Sequence, residues 1–180
     1  MALAVAFVAF AVATAAIAHH VVVEAPPLPP EVAALVPGMM PQGGGELKFL
    51  GLPIYGGWYW GDSHAWRTDR PYALDLHYHR RFTGLEIAQR SVAEMERSGD
   101  TSAEERERWG DGMRRIFPDV RKGDRITGVH TSTGSVRYFL NGAAIGEIAD
   151  RDFARAFFGI WLDPGTSRPE FRKKLLGVSP

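Results

Sequence analysis

Strand and helix signals in this chain arrive in blocks rather than in alternation. Glu46–Leu52, Tyr55–Trp60 and Tyr72–Arg80 are apolar and aromatic at strand spacing, and Pro53 separates the first two. Two helical stretches follow. Three short strands come next, at Arg125–His130, Ser135–Leu140 and Ala143–Ile148, and then two more helices. A β-β-β-α-α-β-β-β-α-α order does not build the crossovers of a parallel sheet. It predicts an α+β fold, an antiparallel sheet with its helices gathered on one face.

The local signals are specific. Tyr72, Leu74, Leu76 and Tyr78 share one strand face, and Ala73, Asp75, His77 and His79 share the other. One further step of that parity puts Arg80 on the core side. Thr83 with Glu86, and Ser102 with Glu105, are spaced as capping boxes, so helices start at both. Leu85, Ala88, Val92 and Met95 carry the first helix to about Ser98. Trp109, Met113 and Ile116 face inward from the second, which Pro118 ends. Asn141-Gly142 predicts a tight hairpin. Asp150 caps a helix with the stripe Phe153, Phe157, Ile160 and Trp161, and Ser167-Arg168-Pro169-Glu170 starts the last helix, which Gly177 stops.

The two ends of the chain read differently. Ala2–Ala18 is uncharged and ends in Ala16-Ile17-Ala18, so residues 1–18 are expected to be a signal peptide or an N-terminal anchor. The rest would then be exported, either periplasmic or anchored facing the periplasm. Residues 19–45, with six prolines and the run Gly43-Gly44-Gly45, are expected to be a linker. The His19-His20 pair at its start reads as solvated. Residues 46–180 form the expected folded domain.

Composition removes several function classes. The chain has 180 residues, with 21 Lys+Arg against 21 Asp+Glu, and so lacks the surplus of positive charge that a nucleic-acid binder needs. It has no cysteine, which excludes disulfides, thiol nucleophiles and cysteine-ligated metals. No phosphate-binding loop, G-x-G-x-x-G, G-x-S-x-G or H-E-x-x-H occurs. Asp75, His77 and His79 stand in a D-x-H-x-H spacing, but alternate residues on a strand lie about 7 Å apart and do not converge on one ion. They are expected on a wet sheet face. No metal and no cofactor is expected.

The sharpest candidate is Arg80. A guanidinium on an apolar face must find an anion, so Arg80 at a pocket mouth would receive a carboxylate, with Tyr78 or Tyr55 lending a hydroxyl. Trp161 reads as core, or as the wall of a cavity between helix and sheet. Trp58, Trp60 and Trp66 are expected in core or rim positions.

A resemblance gathers these pieces. Lys48-Phe49-Leu50-Gly51-Leu52-Pro53-Ile54-Tyr55, Tyr78-His79-Arg80-Arg81, and Phe117-Pro118-Asp119-Val120 with Lys122-Gly123-Asp124 resemble the bacterial exported branch of the chalcone-isomerase-like family. So does Phe157-Phe158-Gly159-Ile160-Trp161-Leu162-Asp163-Pro164 running on to Leu175-Leu176-Gly177. The resemblance implies an open-faced β-sandwich with a ligand cleft between sheet and helices. It also implies, for members with plant-type activity, catalytic Arg, Thr, Tyr and Asn residues. Here the stretch before the first strand has no arginine, the threonine register falls near Leu50, and Gly84–Ser98 has neither Tyr nor Asn. No catalytic residue is therefore assigned. Relatives that bind fatty acids hold the carboxylate with an arginine and a tyrosine; residue type and strand parity, not a motif match, offer Arg80 and Tyr78 or Tyr55 for those parts. Three functions follow as expectations. The first is a non-catalytic binder of a fatty or aromatic acid. The second is an isomerase or intramolecular lyase with a different site. The third is a structural or partner-binding envelope protein. Membrane contact is expected only through an uncleaved N-terminal segment.

Overall fold

The computed structural model describes residues 26–178, so the expected leader over 1–18 and the His19-His20 pair lie outside them. The described chain runs α1 (Pro30–Leu35), β1 (Met40–Phe49), β2 (Leu52–Gly61), β3 (Tyr72–Tyr78), α2 (Gly84–Ser98), α3 (Ala103–Ile116), β4 (Arg125–His130), β5 (Val136–Leu140), β6 (Ala143–Ile148), α4 (Arg151–Leu162) and α5 (Pro169–Leu175). The six strands make one antiparallel sheet in sequence order. This is the α+β architecture that the block order predicts.

The strands extend beyond the sequence expectation at the N-terminal side. Residues 30–35 are helical and residues 40–45 are the first half of β1, so this part of the expected 19–45 linker belongs to the fold. The glycines are there for close approach. A Cβ on Gly43 would stand 2.2 Å from the Lys174 carbonyl oxygen, and one on Gly44 would stand 2.2 Å from the Trp58 ring. Helix α5 and Trp58 occupy the space that side chains would need. The β1–β2 turn also falls earlier than Pro53. Leu50 and Gly51 form it, both at positive φ, and Pro53 sits inside β2 opposite Lys48, next to a register shift.

Helices α2 and α3 start as the sequence requires. Thr83 and Ser102 each accept from the backbone of the glutamate three residues on, and each glutamate returns the bond. Asp150 caps α4 through the Asp152 and Phe153 amides and accepts from Trp109 Nε1 at 2.9 Å, which ties α3 to α4. Under this layer Leu74, Leu76 and Tyr138 of the sheet pack with Met95, Met113 and Phe153 of the helices, among others, in the main core. Each fully buried large apolar side chain there contributes about 1.5–3 kcal/mol.

The opposite sheet face is not wet along its whole length. α1 lays Val32 and Val36 against Trp60, Ala73, Val129 and Phe139 in a second cluster. Asp75, expected in solvent, is fully buried beneath it. Its carboxylate accepts from Thr127 Oγ1 at 2.7 Å and meets His77 Nε2 at 2.7 Å, while Arg125 lies at 3.6 Å. Arg125 also donates to Glu31 of α1 at 2.5 Å. The correction has a simple cause: a six-residue helix from the presumed linker covers what the strand pattern left open.

Candidate ligand-binding site

Between the sheet, helices α2 and α4 and the Ser167-Arg168 segment lies a half-open cavity of about 290 Å³. Leu76 and Ile126 form its floor, and Ile87, Phe157 and Ile160 close it from the helical side. Its polar lining is Tyr55 and Tyr78 from the sheet, Glu86, Arg90, Ser91 and Glu94 from α2, Trp161 from α4, and Ser167 and Arg168 just before α5.

The strand parity places Tyr78 there, and Tyr55 stands beside it because β2 and β3 pair in that register. Their rings meet edge-on at 5.9 Å. Trp161 Nε1 donates to the Tyr55 hydroxyl at 2.8 Å. The phenol's oxygen is thus occupied as an acceptor while its own proton has no partner among the described residues. Burial pushes the Tyr55 hydroxyl up to about 12, against the lowering effect of the Trp161 bond and of Arg168. Burial also raises Tyr78, with Tyr55 adding to it. Both phenols therefore remain protonated near neutral pH, each with a hydroxyl proton available to an acceptor.

Charge in the cluster is unevenly satisfied. Glu94 accepts from Arg90, from Arg97 Nε at 3.0 Å and from Ser167 Oγ at 2.9 Å. Burial works to raise this carboxyl, but the bonds from Arg97 and Ser167 and the charges of Arg90 and Arg97 outweigh it and hold it low. Arg168 is the remaining cation. It is half-buried, has no carboxylate partner among the described residues, and its guanidinium lies 5.8 Å from the Phe49 ring centroid. A cation without a counter-ion beside two phenolic donors is suited to an anion with an apolar tail. No histidine is among the described lining residues, and the two lining carboxylates are engaged: Glu86 accepts from Thr83, and Glu94 from Arg90, Arg97 and Ser167.

Three of the four expected site residues, Tyr55, Tyr78 and Trp161, are brought together here. Arg80 is not. Strand β3 ends at Tyr78, whose N–H bonds the Asp124 carbonyl at 2.8 Å, and after His79 the chain turns outward. Alternation fails once pairing stops, so Arg80 is exposed, with its guanidinium 6.0 Å from the Phe82 ring. Sequence reasoning missed Arg168. Its one local signal is its place before Pro169 at a helix start, which fixes its backbone and says nothing of a cavity. His77 and His79 do not share a partner: His77 meets Asp75, and His79 lies 3.4 Å from Glu46. Trp60 is buried and Trp58 partly so in the second cluster, and Trp66 packs against the main core.

Comparison with known proteins agrees with this fold. Residues 62–177 match the family described as chalcone isomerase-like. An uncharacterized protein of Haemophilus influenzae is 29% identical over 115 residues, 61% of this chain and 54% of that protein. The chain thus spans about half the length of this curated relative. The crystal structure of an Arabidopsis thaliana fatty-acid binding protein superposes with a TM-score of 0.61 at 8% identity, over 77% of this chain and 86% of that one. At that identity the likeness is one of fold: an open antiparallel sheet under a helical layer. With the family match covering well over half of its residues, the chain belongs to the chalcone isomerase-like family.

Proposed function

We propose that the protein is an exported, non-catalytic binder of a small acyl or aromatic carboxylate. The ligand's tail fills the cavity between sheet and helices, and its carboxylate meets Arg168 and the Tyr55 and Tyr78 hydroxyls. The observation that carries the reading is Arg168, a half-buried guanidinium with no carboxylate partner among the described residues, near Tyr55 in a cavity that Tyr78 also lines, both phenols keeping their protons. The fold shared with a fatty-acid binding protein supports it. Export rests on the Ala2–Ala18 leader.

Size narrows the ligand. A cavity of about 150 Å³ holds one benzene ring, so about 290 Å³ suits about eight to ten carbons or two fused rings. Longer chains would protrude through the mouth.

Titration calorimetry with octanoate and octanol tests this. Octanoate is expected to bind more tightly than octanol by about tenfold, because a hydrogen bond to a charged group contributes about 1.5–3 kcal/mol. Arg168→Gln should remove that preference, and Tyr55→Phe should reduce it several-fold. Equal affinity for acid and alcohol contradicts the reading, as does turnover of a chalcone or related enone.

A further inference from the structure

We propose that the β1–β2 hairpin tip docks on an anionic lipid bilayer, with the cavity mouth facing the membrane. Three of the exposed large apolar side chains among the described residues stand together at this turn: Phe49 at 53%, Leu50 at 87% and Leu52 at 58% exposure. Phe49 also lines the cavity, so the patch and the mouth are continuous.

Leu50 is the informative residue. Leu50-Gly51 and Asn141-Gly142 are both two-residue turns with both residues at positive φ, at 50° and 79° and at 50° and 88°. Asparagine is favoured at the first position of such a turn and a branched apolar side chain is not. Leu50 accepts that conformation with almost its whole side chain in water, where it adds nothing to folding. An apolar group kept at a backbone cost and left unburied points to a contact outside the chain.

The charges around the tip select the partner. The amide of His79 bonds the Ile54 carbonyl at 2.9 Å, which brings the end of β3 and Arg80 to this end of the sheet. Arg80 lies over Phe82 and Arg168 over Phe49, and neither pairs with a carboxylate among the described residues. Nearby acids are already engaged: Glu86 caps α2, and Asp119 faces Arg81 at 3.7 Å. Guanidinium groups held over aromatic rings without a carboxylate, around protruding leucines, suit headgroup phosphates above acyl chains. The chain as a whole has a formal net charge of zero, so this rim is a local feature. A few side chains projecting from a turn suit penetration of a lipid interface better than the broad, flat area of a stable protein interface. The inference shares Arg168 with the acid-binding reading but rests on the Leu50 tip and Arg80, which lie outside the cavity lining, so the tip can meet lipid whether or not the cavity is filled.

The absence of cysteine makes the test direct. In the full chain, a single Leu52→Cys carries an environment-sensitive fluorophore at the tip, and Thr133→Cys carries one on the β4–β5 turn at the other end of the sheet. Any anchoring by the apolar N-terminal residues acts on both alike. With vesicles of phosphatidylglycerol and phosphatidylcholine, the tip label should shift to the blue and its quenching by iodide should fall about threefold or more. The Thr133 label should remain accessible. Shielding of both labels, or of neither, overturns the proposal. So does equal shielding on pure phosphatidylcholine, or shielding without lipid together with a dimer in sedimentation, which would assign the patch to a second copy. Leu50→Asn supplies the residue this turn prefers, so it should keep or raise the melting temperature while removing the shielding. Shielding unchanged in Leu50→Asn overturns the proposal. Octanoate affinity in solution should not change in that variant, so failure here and failure of the acid-binding reading are distinguishable.

Discussion

Glu94 shows how one side chain organises the candidate site. It joins α2 to the segment that carries Ser167 and Arg168, and its carboxyl is held below its ordinary value of 4.5 by the donors that surround it. A carboxyl with a lowered folded pKa stabilises fully above its unfolded value, and that stability is lost as pH falls through the folded one. The melting temperature should therefore fall as pH drops below about 4.5, and Glu94→Gln should flatten that fall, as followed by circular dichroism. An identical acid limb in the variant would contradict the role given to Glu94. At the same scale, the faces of Tyr78 and Trp161 were legible because strand parity and a helical stripe each specify one, whereas Tyr55 reaches the cavity through the β2–β3 register. Arg80 was misread because parity carries no information about where a strand ends. Arg168 was not legible because its position depends on how the 163–168 turn returns the chain to the cavity, a tertiary fact.

Among the elements, α1 has the least support of its own. It is six residues long and has no side-chain cap, so its place depends on Val32, Val36 and the Glu31–Arg125 pair. Beneath it Thr127 Oγ1 lies 2.7 Å from Asp75 and 3.2 Å from Glu31, so one hydroxyl proton serves two carboxylates. Arg125 supplies the balancing charge. Arg125→Met should destabilise the fold by about 3 kcal/mol in denaturant titration, because it leaves buried carboxylates unpaired. A neutral result would show that water already reaches this layer. The Asp150 cap makes a second test. Asp150→Ala should cost about 2 kcal/mol, at the upper end for a cap, because the same carboxylate holds Trp109 of α3. The capping boxes and the Asn141-Gly142 turn were readable because their information is local. The Gly43–Gly45 strand was not, because glycines placed for the approach of α5 and Trp58 look like a flexible tract.

For the whole molecule, the block order of strands and helices was enough to predict an antiparallel sheet under a helical layer. It left open whether that layer encloses a cavity or a filled core. The Phe157 and Trp161 stripe serves both as core and as cavity wall, and periodicity does not separate the two. Tyr55, Tyr78 and Arg168 line the cavity together with Leu76, Ile126 and Ile160. The most direct measurement of the central claim is the pH titration of carboxyl-labelled octanoate by carbon NMR, free and bound. Held by a guanidinium and two phenolic donors, the bound carboxyl should stay ionised at a pH where the free acid is already protonated. A bound carboxyl that titrates at or above the free value would contradict the account, since a merely apolar cavity raises the pKa of an acid that it takes up.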